Sequence, residues 1–212
     1  MFLRLFKKKS KFNKPVETVF IADNVISGNN LRVGPGTQIG YGDPAEGKIH
    51  IGNNVTIGAF CLIYYGAKIG DNVHIDDYCK IGIDSTIGDS TKILYGKHVY
   101  DEATIGANCI IGGHVADRTI IEDNVTYMGE IAHSHRHPNE DWDSTIEPSP
   151  KIKQGSVVGV NAILIGGIEI GPCAYVGAGE IVRVNVDEGM CFIKGEAKPI
   201  KFYRGIFKSR CK

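Results

Sequence analysis

An aliphatic residue recurs at every sixth position through the middle of the chain, without a gap. The series comprises Ile51, Ile57, Ile63, Ile69, Ile75, Ile81, Ile87, Ile93, Val99, Ile105 and Ile111. Glycine follows the aliphatic residue in seven of these eleven hexads, and a small or β-branched residue usually stands four places after it. This period fits neither the roughly 3.6 residues of a helix nor the roughly 2 of an ordinary strand. It predicts an all-β coil of short parallel strands, with the aliphatic side chains inward and glycine easing the backbone at the corners.

The sequence pattern is more similar between residues eighteen apart than between residues six apart. Ile51, Ile69, Ile87 and Ile105 all precede glycine. This spacing predicts three hexads per coil, with neighbouring coils rising by about 4.8 Å, the separation of hydrogen-bonded strands.

The repeat is interrupted in three places. Lys97 stands where a small inward residue is expected, the register slips by two after Ile111, and no repeat is visible over 132–151. Departures from an otherwise consistent pattern tend to mark functional places, although a bulge that turns Lys97 outward explains that position equally well. The predicted organisation is a basic segment over 1–20, a β-helix over 21–187 with one long excursion loop over 132–151, and a tail over 188–212.

Composition and charge narrow the class of protein. The formal net charge is zero, which argues against a nucleic-acid partner. Both ends are basic and aromatic, and we expect surface segments there, with contact to an anionic membrane as the alternative. The sequence shows no secretion signal and no apolar run of spanning length, so a cytoplasmic location is expected.

Cys61, Cys79 and Cys109 fall at inward positions and are expected to be reduced core thiols.

The segment VGVNAILIGGIEIGPCAYVGAGEIV, residues 158–182, resembles the signature of the hexapeptide-repeat acyltransferases. The resemblance implies a left-handed parallel β-helix and a homotrimer with active sites in clefts between subunits. It also implies that acyl-CoA, for example acetyl-CoA, lies along the coils as co-substrate. Family members often carry Gly-Asn-Pro-Ala-Lys after the last coil, and residues 194–198 match its Ala-Lys end. Lys198 is therefore a candidate for holding a CoA phosphate.

Two groups of the family resemble the chain most. The sugar and maltose O-acetyltransferases carry a general-base histidine in this loop, often in a His-Pro pair, and His137-Pro138 matches it. The nucleotide-sugar N-acyltransferases share the continuous coil, the long loop and the signature after it. The second group is the better match overall.

Acyl transfer from a thioester requires a base for the attacking group, and histidine suits this role near neutral pH. His137 is the first candidate because of the motif, His133 is the second because it stands where the coil leaves for the loop, and His135 alternates with both. His98 and His114 belong to neighbouring coils and either bind substrate, act as base and helper, or lie on the surface.

Further candidates are carboxylates and corner residues. Asp101 and Glu147 are predicted to orient the acceptor. Gly159, Gly177 and Ala178 are predicted to line the CoA groove with Lys198, although glycines here also serve as plain coil corners.

The sequence thus predicts a CoA-dependent acyltransferase that N-acylates a nucleotide-linked amino sugar in glycan or polysaccharide biosynthesis, with no metal. O-acetylation of a sugar or xenobiotic by a loop histidine is the closest alternative. A zinc-dependent trimer that hydrates carbon dioxide, with His98, His114 and His133 as ligands, and a non-enzymatic scaffold are the others.

Overall fold

The computed structural model describes residues 18–134 and 147–200, which form short strands and one 3₁₀ turn. In chain order the strands are β1 (Phe20–Ile21), β2 (Val25–Ser27), β3 (Arg32–Val33), β4 (Gln38–Tyr41), β5 (Ile49–Ile51), β6 (Thr56–Ile57), β7 (Leu62–Tyr64), β8 (Lys68–Ile69), β9 (His74–Ile75), β10 (Lys80–Ile81), β11 (Thr86–Ile87), β12 (Lys92–Ile93), β13 (His98–Val99), β14 (Thr104–Ile105), β15 (Ile110–Ile111), β16 (Ile120–Ile121), β17 (Thr126–Tyr127), β18 (Glu130–Ala132), β19 (Lys151–Ile152), β20 (Val157–Val158), β21 (Ile163–Ile165), β22 (Glu169–Ile170), β23 (Tyr175–Val176), β24 (Ile181–Val182), β25 (Met190–Ile193) and β26 (Glu196–Pro199). The 3₁₀ turn, Pro44–Glu46, lies between β4 and β5.

Successive strands lie on three faces of a prism. Face 1 carries the sheet β1-β4-β7-β10-β13 and, after an interruption, the sheet β18-β21-β24. Face 2 carries an eight-stranded sheet from β2 to β22, and face 3 a ten-stranded sheet from β3 to β26. Residues eighteen apart pair in parallel, as Ile51 does with Ile69 and Ile69 with Ile87. The prediction of a parallel coil with three hexads per turn is confirmed.

The core of the prism is the predicted aliphatic ladder. Every residue of the series from Ile51 to Ile111 is buried, with at most 4% of its surface exposed. Burial of one such side chain contributes about 1.5–3 kcal/mol, so the ladder dominates the stability of the fold. Cys61, Cys79 and Cys109 are buried free thiols beside it, as expected. Lys97, at the equivalent position, is only half-buried.

Glycine is needed at the coil corners for a reason other than the predicted one. A side chain on Gly52 would collide with Asp71 and the backbone of the next coil, so glycine is needed there for close approach. The left-handed backbone lies two residues later, at Asn54 and Asn72, with φ of 56° and 57°. Asparagine tolerates this conformation. The expectation that these glycines ease the backbone angle is therefore wrong.

The two ends of the coil depart from strict repetition. The 3₁₀ turn lengthens one coil, so that Val33 pairs with Ile57, twenty-four residues later. After the last regular coil, β25 adds to face 3 in parallel and β26 turns back against it, antiparallel.

Candidate active site

One corner between face 3 and face 1 is shortened in two successive coils. Successive inward side chains are four residues apart in the stretches 111–115 and 127–131, whereas they are six residues apart in regular coils. Gly113 and Gly129 occupy equivalent places in these corners. A side chain on Gly113 would collide with the carbonyl group of Gly129, so the two corners pack backbone against backbone. The predicted slip of two residues is thus a shortened corner.

The shortened corners interrupt face 1 and leave the other two faces continuous. The five-stranded sheet ends at β13, a single bridge joins Val99 to Val115, and the three-stranded sheet begins at β18. A cleft of about 290 Å³ opens at this interruption. Its lining comprises Tyr100, His114, Ala116, Asp117, Glu130, Ile131 and His133.

His114 replaces a backbone acceptor that the shortened corner removes. In the regular coil below, the N–H of Lys80 donates to the carbonyl oxygen of Lys97 at 3.0 Å. The equivalent N–H of His98 instead donates to Nδ1 of His114 at 3.1 Å. Because Nδ1 accepts this bond, it carries no proton, and the proton of the neutral ring lies on Nε2. His114 is therefore held as a hydrogen-bond donor at the wall of the cleft.

Tyr127 holds the backbone of His114 from inside the coil. Its hydroxyl donates to the carbonyl oxygen of His114 at 3.1 Å, and its side chain is fully buried. Burial, and secondly the charge of Glu130, raises the pKa of Tyr127 well above its ordinary value. The phenol consequently remains protonated and acts as a permanent donor.

His133 lies between two carboxylates at the other side of the cleft. Its Nδ1 is 3.6 Å from Oε2 of Glu147, and its Nε2 is 3.8 Å from Oδ1 of Asp117. Glu147 is buried, with 8% exposure, and its carboxylate accepts the N–H and the hydroxyl of Ser134 at 2.6 and 3.2 Å. Asp117 is paired with Arg118 at 2.6 Å. The nearer carboxylate, that of Glu147, lies on the Nδ1 side of the ring, and a proton on Nδ1 would leave Nε2 as the basic atom.

His98 is kept neutral beside this cleft. Its ring meets that of His114 edge to face, with centroids 5.0 Å apart. Burial lowers the pKa of His98, and the charges of His114, Lys80 and Lys97 lower it further. His98 and His114 therefore lie side by side on neighbouring coils, as predicted. They are joined by the ring contact and by the hydrogen bond from the backbone N–H of His98.

Asp101 lies at a coil corner, where its carboxylate accepts the N–H of Ile83 at 2.9 Å. Four other aspartates make the same bond to the coil below: Asp71, Asp77, Asp89 and Asp123. The shared pattern indicates a structural cap.

The predicted CoA residues lie on the upper coils. Gly159 and Gly177 follow strands of face 3 in successive coils, and a side chain on Gly159 would collide with the backbone of Ala178. Lys198, in β26 at the end of the same face, pairs with Glu196 at 2.7 Å. His137, the first candidate for the base, and His135 lie outside the described residues.

Five of the seven residues that line the cleft were not predicted from the sequence, and three of these five are polar or aromatic. Tyr100, Asp117 and Glu130 line the cleft, but none was singled out. The signal that could have found them is the shortened corner, because residues on either side of a missing stretch come together in space. Glu147 and His133, which were predicted separately, are brought together.

A family model described as "Bacterial transferase hexapeptide (six repeats)" matches residues 48–82 and 84–116. Over these residues the chain is similar to the hexapeptide-repeat transferases, and the predicted resemblance is confirmed. No curated protein sequence matches it. This match confirms the predicted enzyme class at the level of a hexapeptide-repeat transferase.

Solved structures similar to this chain are distant in sequence. A UDP-N-acetylglucosamine acyltransferase of Francisella novicida is 16% identical, with a TM-score of 0.59 over 85% of this chain and 67% of the other. LpxA from Acinetobacter baumannii is 15% identical, with a TM-score of 0.50 over 87% of this chain and 73% of the other. A GDP-perosamine N-acetyltransferase mutant of Caulobacter crescentus, solved with CoA and GDP-perosamine, is 15% identical, with a TM-score of 0.35; the chain spans 55% of its length. The first two likenesses show the fold, and the predicted left-handed parallel β-helix is confirmed.

Metal ligation and membrane crossing are the remaining questions for the described residues. Residues 18–134 and 147–200 contain no group of three or more His, Cys, Asp or Glu side chains placed to hold a metal ion. The zinc alternative takes ligands from several subunits, so it stays a prediction. Over the same residues, no helix has the length and apolar character needed to cross a membrane.

Proposed function

We propose that the cleft beside His133 transfers an acyl group from a CoA thioester to a nucleophile on a sugar. The observation that carries this proposal is the placement of His133 between Glu147 and Asp117, at the interruption of face 1. A histidine with a carboxylate on one ring nitrogen is the usual arrangement of a general base.

His133 would remove the proton from the attacking group. Nε2 accepts that proton while the acceptor oxygen or nitrogen forms a bond to the thioester carbonyl carbon. Collapse of the tetrahedral intermediate breaks the carbon–sulfur bond, and the departing CoA thiolate takes the proton from the imidazolium. Glu147 stabilises the imidazolium between these two steps.

His114 would contribute a hydrogen bond from the opposite wall. Because its Nδ1 accepts the N–H of His98, only the Nε2–H is left to face substrate. A donor of this kind stabilises negative charge that develops on a substrate oxygen. The two histidines therefore divide the work, with His133 accepting a proton and His114 donating a hydrogen bond.

The proposed acceptor is the amino group of a nucleotide-linked sugar. The strict repeat over 51–111 and the segment after the loop support it, and the name of the Francisella enzyme also gives a nucleotide-linked sugar as substrate. A sugar hydroxyl is the second candidate. It is favoured by the His133–Glu147 pair, because a hydroxyl needs a base more than an unprotonated amine does.

The co-substrate and the assembly belong to the same proposal. Acyl-CoA would lie along the upper coils beside Gly159, Gly177 and Ala178, with Lys198 near a phosphate. A homotrimer would cover the open side of the cleft with a neighbouring subunit.

The proposal is tested by measuring CoA release from acetyl-CoA with a panel of nucleotide-linked amino sugars, nucleotide-linked sugars and free sugars. The wild-type protein is compared with His133→Ala and with His74→Ala. His74 is a suitable control because it is also an outward histidine with a carboxylate partner, Asp76, at 2.8 Å on face 3. Turnover that needs His133 and not His74 supports the proposal. Equal turnover in both variants, or no turnover with any acceptor, contradicts it.

A further inference from the structure

A column of outward side chains leads down face 1 from the cleft. The sheet register stacks Leu62, Lys80 and His98 on neighbouring coils, and His98 contacts His114 at the cleft itself. The cationic member, Lys80, therefore lies two coils below His114 and three coils below the strand that precedes His133. At about 4.8 Å per coil, these separations are roughly 10 Å and roughly 14 Å along the face.

Two tyrosine rings hold the ammonium group of Lys80. Its Nζ is 4.6 Å from the ring centroid of Tyr64 and 5.9 Å from that of Tyr100. Tyr100 also lines the cleft, so the lysine and the cleft share one wall. Lys80 is half-buried, and no carboxylate among residues 18–134 and 147–200 forms an ion pair with it. The cation is thus fixed in place without a neutralising charge in this part of the chain.

The surroundings add positive charge. Lys97 is near enough to contribute, together with Lys80, to the lowered pKa of His98. Two lysines beside a neutral histidine form a local positive field, which attracts anions. A lysine on a rigid wall is a suitable point charge for a phosphate group, and neighbouring tyrosines supply flat surfaces for a ring.

The ligand chemistry that fits is a diphosphate attached to rings. Two molecules in the proposed reaction carry one: a nucleotide-linked acceptor and CoA. The proposed CoA residues Gly159, Gly177 and Lys198 are on coils above the cleft, whereas Lys80 is below it. The two sides of the cleft would then receive different substrates.

We propose that Lys80, held between Tyr64 and Tyr100, binds the diphosphate of a nucleotide-linked acceptor. This inference rests on the proposed function and deepens it, because it requires the acceptor to be anionic and excludes a neutral free sugar as the best substrate.

The binding test uses isothermal titration calorimetry with inorganic pyrophosphate, UDP, GDP and CoA as probes. The variants are Lys80→Met, which keeps the apolar stem, Lys80→Arg, which keeps the charge, and Lys92→Met. Lys92 is the matched control because it also precedes an inward isoleucine in a two-residue strand, but on face 3. Loss of one hydrogen bond to a charged group weakens binding about 10-fold or more. Lys80→Met should therefore weaken the affinity for pyrophosphate and for the nucleotides by about that factor. Lys80→Arg should retain most of it, and CoA binding should be unchanged.

Three results would overturn the inference. Equal weakening in Lys92→Met would indicate a general effect of charge. Weakening of CoA alone would assign the site to the co-substrate. Unchanged binding of pyrophosphate and both nucleotides in Lys80→Met would leave the lysine with no role in binding.

A kinetic arm separates this inference from the proposed function. For an anionic acceptor, Lys80→Met should raise KM about 10-fold with little change in kcat, and the KM of acetyl-CoA should stay constant. Active enzyme with an unchanged acceptor KM would reject the Lys80 site and leave acyl transfer intact. Pyrophosphate binding that depends on Lys80, in a protein without transferase activity, would reject the proposed reaction and leave the anion site intact.

Discussion

The backbone N–H of His98 donates to Nδ1 of His114, 3.1 Å away, where every regular coil below uses a carbonyl oxygen. The imidazole is thus part of the ladder of face 1 as well as of the cleft. One side chain completes the sheet at its interruption and also lines the cleft.

Replacing His114 should affect stability in a way that depends on the acceptor atom. His114→Ala leaves the N–H of His98 without its partner, at a cost of about 1–3 kcal/mol in the free energy of unfolding. His114→Asn offers Oδ1 near the position of Nδ1 and should recover most of that loss. Urea unfolding of the three proteins measures the difference. Identical stabilities for the Ala and Asn variants would show that the hydrogen bond contributes nothing.

His133→Ala should lower kcat about 10²–10⁴-fold, the usual contribution of a general base. The loss of activity should come without a comparable loss of stability, because His133 is more than one third exposed. Steady-state kinetics and thermal unfolding, run beside His74→Ala, separate the two effects. Near wild-type kcat in His133→Ala would move the search for the base to the loop histidines, of which His137 is the first.

The stability of the fold should decrease as the pH falls below the ordinary histidine pKa of 6.5, in part through His98. The folded state lowers the pKa of this imidazole, so below pH 6.5 the unfolded chain binds the proton more readily than the folded chain. The contribution of His98 is therefore complete above that pH and is lost as the pH falls through the lowered value. His98→Asn keeps the backbone N–H that bonds His114 and should reduce this dependence. The check is the free energy of unfolding from pH 5 to 8; parallel curves for variant and wild type would contradict it.

Gly113→Ala should be strongly destabilising, because the added methyl group would meet the carbonyl group of Gly129 and neither backbone can move freely. Overpacking of this kind costs about 1–3 kcal/mol. Gly177→Ala is the comparison, since its methyl group would be tight only against a side-chain atom of Ile193, at 3.1 Å, and would meet Glu180 and the carbonyl oxygen of Phe192 at an ordinary 3.4 Å. Chemical denaturation should rank the Gly113 variant well below the Gly177 variant, and the reverse order would refute the packing account of the short corner.

Asp101 offers a test between a structural and a substrate-binding role. Asp101→Asn should be nearly neutral, because Asn53 caps the N–H of Asn29 in the same way at 3.0 Å. Asp101→Ala should lose about 0.5–1.5 kcal/mol of stability, the net value of one hydrogen bond. Neither variant should change the KM of the acceptor. A raised KM in a stable Asp101→Asn protein would restore the predicted substrate role.

The repeat itself was predictable because burial enforces it. Each inward isoleucine must be apolar and each residue beside it small, so the period of six is visible in the letters alone. The slip after Ile111 was visible for the same reason, and it correctly marked the region of the cleft. The handedness of the coil required the family resemblance, since period and composition are identical for either hand.

The chemistry of the cleft was only partly predictable. His133, His114 and Glu147 were named as separate candidates, but their contacts depend on how two shortened corners bring distant coils together. Tyr100 and Asp117 carry no pattern of their own and look like ordinary outward residues. Lys97 breaks the repeat and is therefore visible in the sequence. Lys80 stands in a regular outward position, so the sequence does not show that it lies between two tyrosine rings. Solvent-facing positions obey no strict rule, so sequence gives little warning of which of them meet.

The interruption of face 1 also has a consequence for how the molecule comes apart. Stacked coils are coupled mainly to their nearest neighbours, and at this level one of the three ladders is reduced to the Val99–Val115 bridge and the His98–His114 bond. The coils before and after it can therefore open as two cooperative units with a weak boundary between them. Amide hydrogen exchange should show this boundary as a group of faster-exchanging N–H groups on face 1. A ligand that spans the cleft would join the two units and slow that exchange.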